Sequence, residues 1–117
     1  MKYLVLLAGE PASGPPPGSE EFMGMLSDFG AVTEAMAAAG VLIDSGPLQD
    51  PSTATTVRVR DGKRVLVDGP FAEIRERIGG YYVFDCGNLD EAIDWAAQIP
   101  SARYGSVEVR PLMEIPS

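Results

Sequence analysis

Asp68 is the residue in this sequence best placed to do chemistry. It follows an apolar run and precedes Gly69 and Pro70, and functional sites often lie where a strand gives way to a loop. Its carboxylate fits a general base or a ligand-binding group. It also fits a structural role, because an Asp before Gly-Pro can accept backbone N–H bonds across the turn or at the start of a short helix. Such local bonding explains the residue types, so we favour structure and keep catalysis by Asp68 as the alternative.

Two adjacent tyrosines are candidate ligand-binding residues. Tyr81 and Tyr82 lie in an apolar run, and successive side chains of a strand project to opposite faces. One tyrosine is therefore expected to face the helices, and the other to face the cleft of the dimer argued below. A tyrosine in a cleft can donate to a ligand or bond within the core.

Charged and aromatic residues near the turn are further ligand-binding candidates. Arg75, and Arg110 on the polar side of a later strand, carry guanidinium groups suited to a carboxylate or a phosphate. Balancing the acidic surface is the simpler explanation for either one. Phe71 is a candidate contact for an apolar ligand, although its helical spacing to later isoleucines favours a small packing face. Arg77 follows Glu73 by four residues and is expected to pair with it if the segment is helical.

Glycine and proline shape the backbone around these candidates. Gly69 and Pro70 turn the chain out of the preceding strand. Gly79 and Gly80 return it to the next one, and they permit a positive φ or a close backbone approach. All four are assigned to structure, since none of them requires a ligand to explain it.

The missing residue types exclude several kinds of site. The chain has no histidine, and Cys86 is its one cysteine. Catalysis by a histidine base is therefore excluded. A zinc site needs about four nitrogen or sulfur ligands, which the chain cannot supply. We expect no metal and no cofactor, and we expect Cys86 to be a small core residue.

The composition indicates one acidic domain covering residues 1–117. Hydrophobic residues make up 45% and charged residues 22%, as in ordinary folded domains. The net charge of −8 disfavours binding to nucleic acid or to an anionic membrane. The apolar run at 3–8 is too short for a secretion signal, and no run is long enough to span a bilayer. A cytoplasmic location is expected.

Apolar periodicity and turn residues predict the order strand, helix, strand, hairpin, strand, helix, strand. Ser19 caps the first helix, and Asn88 caps the second. Asp61-Gly62 is the two-residue turn of the hairpin. The proline- and glycine-rich segment 9–18 is a loop, placed where a lid over a site would lie. The first helix carries one apolar stripe, formed by Phe22, Met25, Leu26, Phe29, Thr33 and Met36.

This order predicts an α+β fold, a ferredoxin-like sandwich with an added β-hairpin and both helices on one face of the sheet. The strands at 3–8 and 81–86 are apolar on both sides, so the other face of the sheet would expose a large apolar patch. A second copy covering that face predicts a homodimer with a cleft between or beside the sheets. The alternative is that the long loops cover it.

Several motifs along the chain together carry a family resemblance. They are the opening "KYLVLL", Asp68-Gly69-Pro70-Phe71, the Gly-Gly-Tyr-Tyr pair, "LDEAIDWAAQIP" and the closing "SVEVRPLM". With them the chain resembles the YCII-related family, in the branch called DGPF-domain proteins. The resemblance implies a dimeric α+β barrel of ferredoxin-like subunits. It also implies a possible functional link to an extracytoplasmic-function sigma factor, since some members are encoded beside one.

The wider family offers a catalytic precedent that this chain cannot follow directly. A histidine and aspartate pair is thought to form the active site there, and at least one relative eliminates chloride from a chlorinated aromatic. This sequence has no histidine, so the pair cannot be carried over.

Two functions remain open from the sequence. In the favoured interpretation the protein is a homodimer with a regulatory or small-ligand-binding role and no demonstrated catalysis. In the alternative it is an enzyme, a lyase like the dehydrochlorinase or another acid/base catalyst, that uses Asp68 without histidine. A ligand would be a small apolar, aromatic or carboxylated compound, and it would need a pocket of roughly several hundred cubic ångströms.

Overall fold

The computed structural model describes residues 1–10, 14–70 and 77–116. Two long helices and six strands account for most of these residues, together with two short helical turns. The strands are β1 (Lys2–Gly9), β2 (Leu42–Pro47), β3 (Thr55–Arg60), β4 (Lys63–Asp68), β5 (Arg77–Asp85) and β6 (Ser106–Pro111). The helices are α1 (Glu20–Ala38), α2 (Leu89–Ala96) and the single turn α3 (Ser101–Tyr104), and a 3₁₀ turn spans Pro51–Thr53.

Four strands form an antiparallel sheet in the order β2-β5-β1-β6. With the hairpin set aside, the chain reads β-α-β-β-α-β, the order of the ferredoxin-like motif. The predicted α+β class is therefore confirmed, and the antiparallel sheet is consistent with a ferredoxin-like arrangement. No helix in the described ranges is both long and apolar enough to cross a membrane.

Side-chain caps set where the two long helices begin. The Ser19 hydroxyl accepts the Phe22 N–H at 3.1 Å, and Glu20 and Glu21 place negative charge at the positive end of α1. The Asn88 side chain accepts the Glu91 N–H at 2.9 Å, and the Glu91 carboxylate accepts the Gly87 N–H at 2.9 Å. This reciprocal arrangement is close to a capping box.

The core lies on one side of the four-stranded sheet. Alternate residues of β1 and β5 point into it and meet side chains from both long helices. The buried members include Tyr3, Val5, Tyr82 and Phe84 from the sheet, Val32 and Met36 from α1, and Ala92 from α2. Both helices therefore pack against the same face of the sheet.

The opposite side of the sheet carries the other alternating set of residues. Leu4 lies opposite Val83, and Leu6 lies opposite Tyr81. These four side chains are half-buried, and none of them belongs to the core cluster. We call this surface the open sheet face.

Strands β3 and β4 form a separate two-stranded antiparallel ribbon. Its turn is Asp61-Gly62, with φ of 53° and 75°, as a type I′ turn requires. Val57, Val59 and Leu66 are 59%, 60% and 61% exposed. The ribbon therefore extends away from the core with apolar side chains in solvent.

Candidate functional site

A cleft of about 1010 Å³ opens where β1 and β2 end and β5 begins. One wall is α1 from Met25 to Ala37, and another is the segment that follows β2. Its apolar lining includes Leu7, Met25, Leu26, Phe29, Leu48 and Ile78. The apolar stripe of α1 thus serves both the cleft and the core. Met25, Leu26 and Phe29 line the cleft, whereas Met36 is buried in the core.

A β-bulge shapes the sheet edge at this cleft. Leu7 pairs with Gly80 and Ala8 pairs with Ile78, so Gly79 is the extra residue in β5. The Gly79 carbonyl accepts the Leu48 N–H at 2.9 Å, which ties the segment after β2 to the sheet. A Cβ on Gly80 would lie 3.1 Å from the Gly46 carbonyl oxygen. The sequence allowed either a positive φ or a close backbone approach for this glycine pair, and Gly80 shows the close approach.

Tyr82 lies at the inner end of the cleft and is only 5% exposed. Its hydroxyl lies 2.8 Å from Thr33 Oγ1, and the Thr33 hydroxyl also bonds the Phe29 carbonyl at 2.8 Å. A carbonyl can only accept, so the Thr33 proton goes to Phe29 and Tyr82 must donate to Thr33. The Tyr82 oxygen keeps lone pairs that could accept a bond from a ligand.

Tyr81 points the other way, as the alternation predicts, and still contributes to the cleft wall. Its hydroxyl donates to Asp44 Oδ2 at 3.0 Å, and its ring lies against Gly46, where a Cβ would come within 3.3 Å. The hydrogen bond to the Asp44 carboxylate, reinforced by that charge, raises the pKa of Tyr81 above its usual value. Tyr81 is thus held as a neutral phenol.

Arg77 is the cationic residue of the cleft lining. Its side chain makes no hydrogen bond or ion pair with any residue in the described ranges. The Asp50 carboxylate accepts the Ser52 N–H at 2.9 Å, which lowers the pKa of Asp50, and the Arg77 charge lowers it further. Sequence reasoning missed Arg77 as a site residue because it assigned the side chain to a helical pair with Glu73, which lies outside the described residues. The signal was its position at the start of β5, directly before the apolar run.

Asp68 lies at the end of β4, opposite Thr55 at the base of the ribbon. Its side chain is exposed, makes no hydrogen bond within the described ranges and does not line the cleft. Backbone groups of Gly69 hold the turn instead. The Gly69 N–H donates to the Ala54 carbonyl at 2.7 Å, and the Thr56 hydroxyl donates to the Gly69 carbonyl at 2.7 Å. Gly69 has φ of 99°, a conformation that favours glycine.

The remaining candidates are not brought together at the cleft. Arg110 forms an ion pair with Glu108 at 2.8 Å on β6, and both side chains are exposed. Pro70 is exposed directly after Gly69. Phe71 and Arg75 lie outside the described residues. The structure therefore groups Tyr81, Tyr82, Gly79 and Gly80 at the cleft and places Asp68 and Arg110 elsewhere.

The described part of the chain contains neither a cluster of metal-ligating side chains nor an exposed thiol. Residues 1–10, 14–70 and 77–116 contain no group of three or more His, Cys, Asp or Glu side chains that could hold a metal ion. Cys86 is buried, as expected, and burial raises the pKa of its thiol, with the Glu91 and Asp85 carboxylates adding to the effect. Cys86 is therefore a core thiol rather than a nucleophile.

The fold and the cleft define an α+β domain with a large apolar recess at one end of its sheet. Its sequence matches the YCII-related domain over residues 1–116, so the chain belongs to the YCII-related family. The family resemblance seen in the motifs is thus confirmed. The uncharacterized protein R00369 of Rhizobium meliloti (strain 1021) is 37% identical over 114 residues, covering 96% of this chain and 92% of that protein.

A solved structure shares the fold. It is 5-chloro-2-hydroxyhydroquinone dehydrochlorinase (TftG) from Burkholderia phenoliruptrix AC1100, in complex with 2,5-dihydroxybenzoquinone. The TM-score is 0.58 with 16% sequence identity, and the match covers 97% of this chain and 94% of that one. At this identity the likeness concerns the fold alone.

Proposed function

We propose that this protein is a homodimer that binds a small apolar compound, aromatic or carboxylated, in the cleft between α1 and the end of the sheet. The cleft itself carries the proposal. Its volume of about 1010 Å³ exceeds what a small ligand needs, and its walls are mostly apolar with a few polar groups at defined places. Pockets of this composition bind ligands by burying their apolar surface.

Arg77 and the two tyrosines would orient the ligand. The Arg77 side chain forms no ion pair or hydrogen bond with the described residues, so a carboxylate could bind its guanidinium without breaking one and would share its charge with Asp50. The Tyr82 oxygen offers an acceptor at the inner end of the cleft. An aromatic acid with its ring against Phe29 and its carboxylate at Arg77 would use the apolar wall and the cation together.

The open sheet face supports the homodimer. Leu4, Leu6, Tyr81 and Val83 form an apolar strip on the side of the sheet away from the core cluster. Packing two such faces together would bury both strips, as aligned sheets do in sandwiches. With the added ribbon of β3 and β4, this assembly would be the dimeric α+β barrel that the family resemblance implies.

Location and regulation extend the proposal beyond the site. The Asp68-Gly69-Pro70-Phe71 motif supports assignment to the DGPF branch of the family. From that resemblance we propose a cytoplasmic regulatory role connected to an extracytoplasmic-function sigma factor, with the small ligand as the signal.

Enzymatic activity is the second candidate, and one observation favours it. The fold is shared with a dehydrochlorinase whose structure holds a dihydroxybenzoquinone, a small oxygenated ring. Acid/base chemistry in the present chain would have to proceed without histidine. Asp68 does not line the described cleft, so a catalytic Asp68 would have to serve a site formed elsewhere, such as one between two subunits.

Thermal-shift screening with small aromatic and aliphatic carboxylates tests the ligand proposal. The pair of variants is Arg77→Ala, in the cleft, and Arg110→Ala, an arginine outside it. We expect an aromatic acid to raise the melting temperature of the wild type and of Arg110→Ala but not of Arg77→Ala. A wild type that responds to no compound at millimolar concentration, or an Arg77→Ala variant that responds fully, would overturn the proposal.

Separate measurements test the dimer and the enzyme alternative. Val83→Asp on the open sheet face should yield a monomer in light scattering, whereas Met113→Asp, at an exposed position near the end of the described chain, should not. Chloride release from chlorinated hydroquinones, lost in Asp68→Asn, would support the enzyme. Its absence from the wild type would count against that alternative.

A further inference from the structure

Positive charge in this chain is concentrated at the tip of the ribbon formed by β3 and β4. Residues 58–64 contain four of the nine Lys and Arg residues and only one of the seventeen Asp and Glu residues. The cations are Arg58, Arg60, Lys63 and Arg64. The ribbon tip is therefore basic although the protein as a whole is strongly acidic.

The opposite charge is concentrated on the two long helices. Neither α1 nor α2 contains a lysine or an arginine, and together they carry seven acidic residues. These are Glu20, Glu21, Asp28 and Glu34 on α1, and Asp90, Glu91 and Asp94 on α2. We call this surface the acidic helix layer.

The ribbon makes few contacts with the rest of the described chain. None of its four cations forms an ion pair with a residue in the described ranges, and Arg60 donates only to the adjacent Val59 carbonyl there, at 2.9 Å. Apolar side chains are exposed on both of its faces, with Val57 and Leu66 paired on one face and Val65 and Val67 on the other. Two-stranded ribbons of this kind are marginally stable alone and gain stability by packing against a partner.

We propose that the ribbon is an arm that docks on the acidic helix layer of a second copy of this chain. Complementary charge selects this partner, because the same chain provides both the basic arm and an acidic surface on which, within the described ranges, Arg103 neutralises Asp28 alone. The exposed valines and Leu66 would lie under the ion pairs and lose solvent exposure. Ile93 and Leu89, which are exposed on α2 beside its carboxylates, provide an apolar counterpart. This contact is additional to the packing of open sheet faces in the proposed dimer.

Charge reversal in the full-length protein tests the arm. The quadruple variant R58E/R60E/K63E/R64E should weaken self-association by about tenfold or more in sedimentation equilibrium, and should remove most of its dependence on salt. The matched control is Arg110→Gln, which removes a cation that pairs with Glu108 on β6, outside both the ribbon and the acidic helix layer. The quadruple glutamine variant shows whether lost charge, rather than repulsion, causes the effect. Circular dichroism before association is measured confirms that each variant is folded.

A complementary variant locates the docking surface. Asp90→Lys combined with Asp94→Lys changes two exposed carboxylates on α2 whose side chains form no hydrogen bond or ion pair within the described ranges. Mixing this variant with the glutamate-reversed ribbon variant should restore association between the two proteins. Failure to restore it would overturn docking on the helix layer, and an unchanged association constant for the ribbon variant would overturn the arm itself.

The same series separates the arm from the sheet-face dimer. If Val83→Asp abolishes association while the ribbon variants leave it unchanged, the sheet-face dimer stands and the arm is wrong. If the ribbon variants weaken association and Val83→Asp does not, the arm stands and packing of the open sheet faces is wrong.

Discussion

The hydroxyl of Tyr82 donates to Thr33 Oγ1 at 2.8 Å and thereby joins the middle strand β5 to the middle of α1. This bond lies at the boundary between core and cleft, because Tyr82 belongs to the core cluster and also lines the recess. Tyr81, the adjacent residue, makes its own bond to Asp44 at the exposed edge of the sheet. The two tyrosines therefore differ in burial while each satisfies its hydroxyl.

Replacing each tyrosine by phenylalanine should change the free energy of unfolding by different amounts, because the two hydroxyl groups differ in burial. Tyr82→Phe should reduce the free energy of unfolding by about 1 kcal/mol, since it removes a nearly buried hydrogen bond. In the Val83→Asp background, where a second subunit is not expected to cover the open sheet face, Tyr81→Phe should reduce it by clearly less, because water competes for the exposed bond to Asp44. Urea denaturation measures both. Equal losses for the two variants would contradict the assignment of Tyr82 to the core boundary.

The titration of Tyr81 should occur at unusually high pH. Its pKa is raised because the phenol donates to the Asp44 carboxylate. Since the folded pKa lies above the unfolded value, the stabilisation is fully present below pH 10 and is lost as pH rises through the folded pKa. Difference absorbance of phenolate, with Tyr81→Phe to assign the transition, measures this. In Asp44→Asn the transition should move to lower pH, and an unmoved transition would show that the carboxylate does not cause the shift.

Cys86 should be almost unreactive in the native protein. Burial raises the pKa of the thiol, so little thiolate forms near neutral pH, and access for a reagent is poor. The pKa of Cys86 is higher in the folded than in the unfolded protein. The stabilisation from the neutral thiol is therefore fully present below pH 9 and is lost as pH rises through the folded-state pKa. Thiol labelling with and without denaturant, repeated at several pH values, measures both effects. Rapid labelling of native protein would show that Cys86 is accessible.

Two glycine-to-alanine substitutions should change stability in opposite directions. A Cβ on Gly105 would overlap the Ala8 carbonyl oxygen and lie 2.9 Å from the Gly9 Cα, so the backbone must shift and about 1–3 kcal/mol or more should be lost. Gly24 lies within α1 with no atom near its missing Cβ, and alanine there should stabilise the protein by about 0.5–1 kcal/mol. Thermal denaturation compares them. A Gly105→Ala variant as stable as the wild type would contradict the close approach.

The elements with strong local signals were the predictable part of the fold. Ser19 and Asn88 each accept the N–H bond that their sequence positions indicate, because capping depends on residues within one helical turn. The α+β class followed from the order of such elements. Alternation also placed Tyr81 and Tyr82 on different faces, since the period of a strand does not depend on what covers it.

The cleft could not be predicted in the same way. Periodicity shows that Met25, Phe29 and Met36 share one side of α1, but it cannot show that the first two line an open recess whereas Met36 is fully buried. Arg77 was missed for a related reason, because an i to i+4 pair is predicted only if the backbone is helical, and Arg77 begins β5. The cleft and the start of β5 both depend on contacts between elements that are distant in sequence. Local periodicity does not report such contacts.

The contacts of α1 also bear on how the cleft selects among ligands. The buried residues of this helix, Val32 and Met36, lie in its second half, as does the Thr33 bond to Tyr82. Residues from Met25 to Ala37 line the recess, and Phe29 also packs against the core cluster. Because the same helix lines the recess and fills the core, a change in its inclination would alter the width of the recess and the packing of Val32 and Met36 together. The size of a ligand is in this way limited by the core, since widening the recess would cost packing energy there.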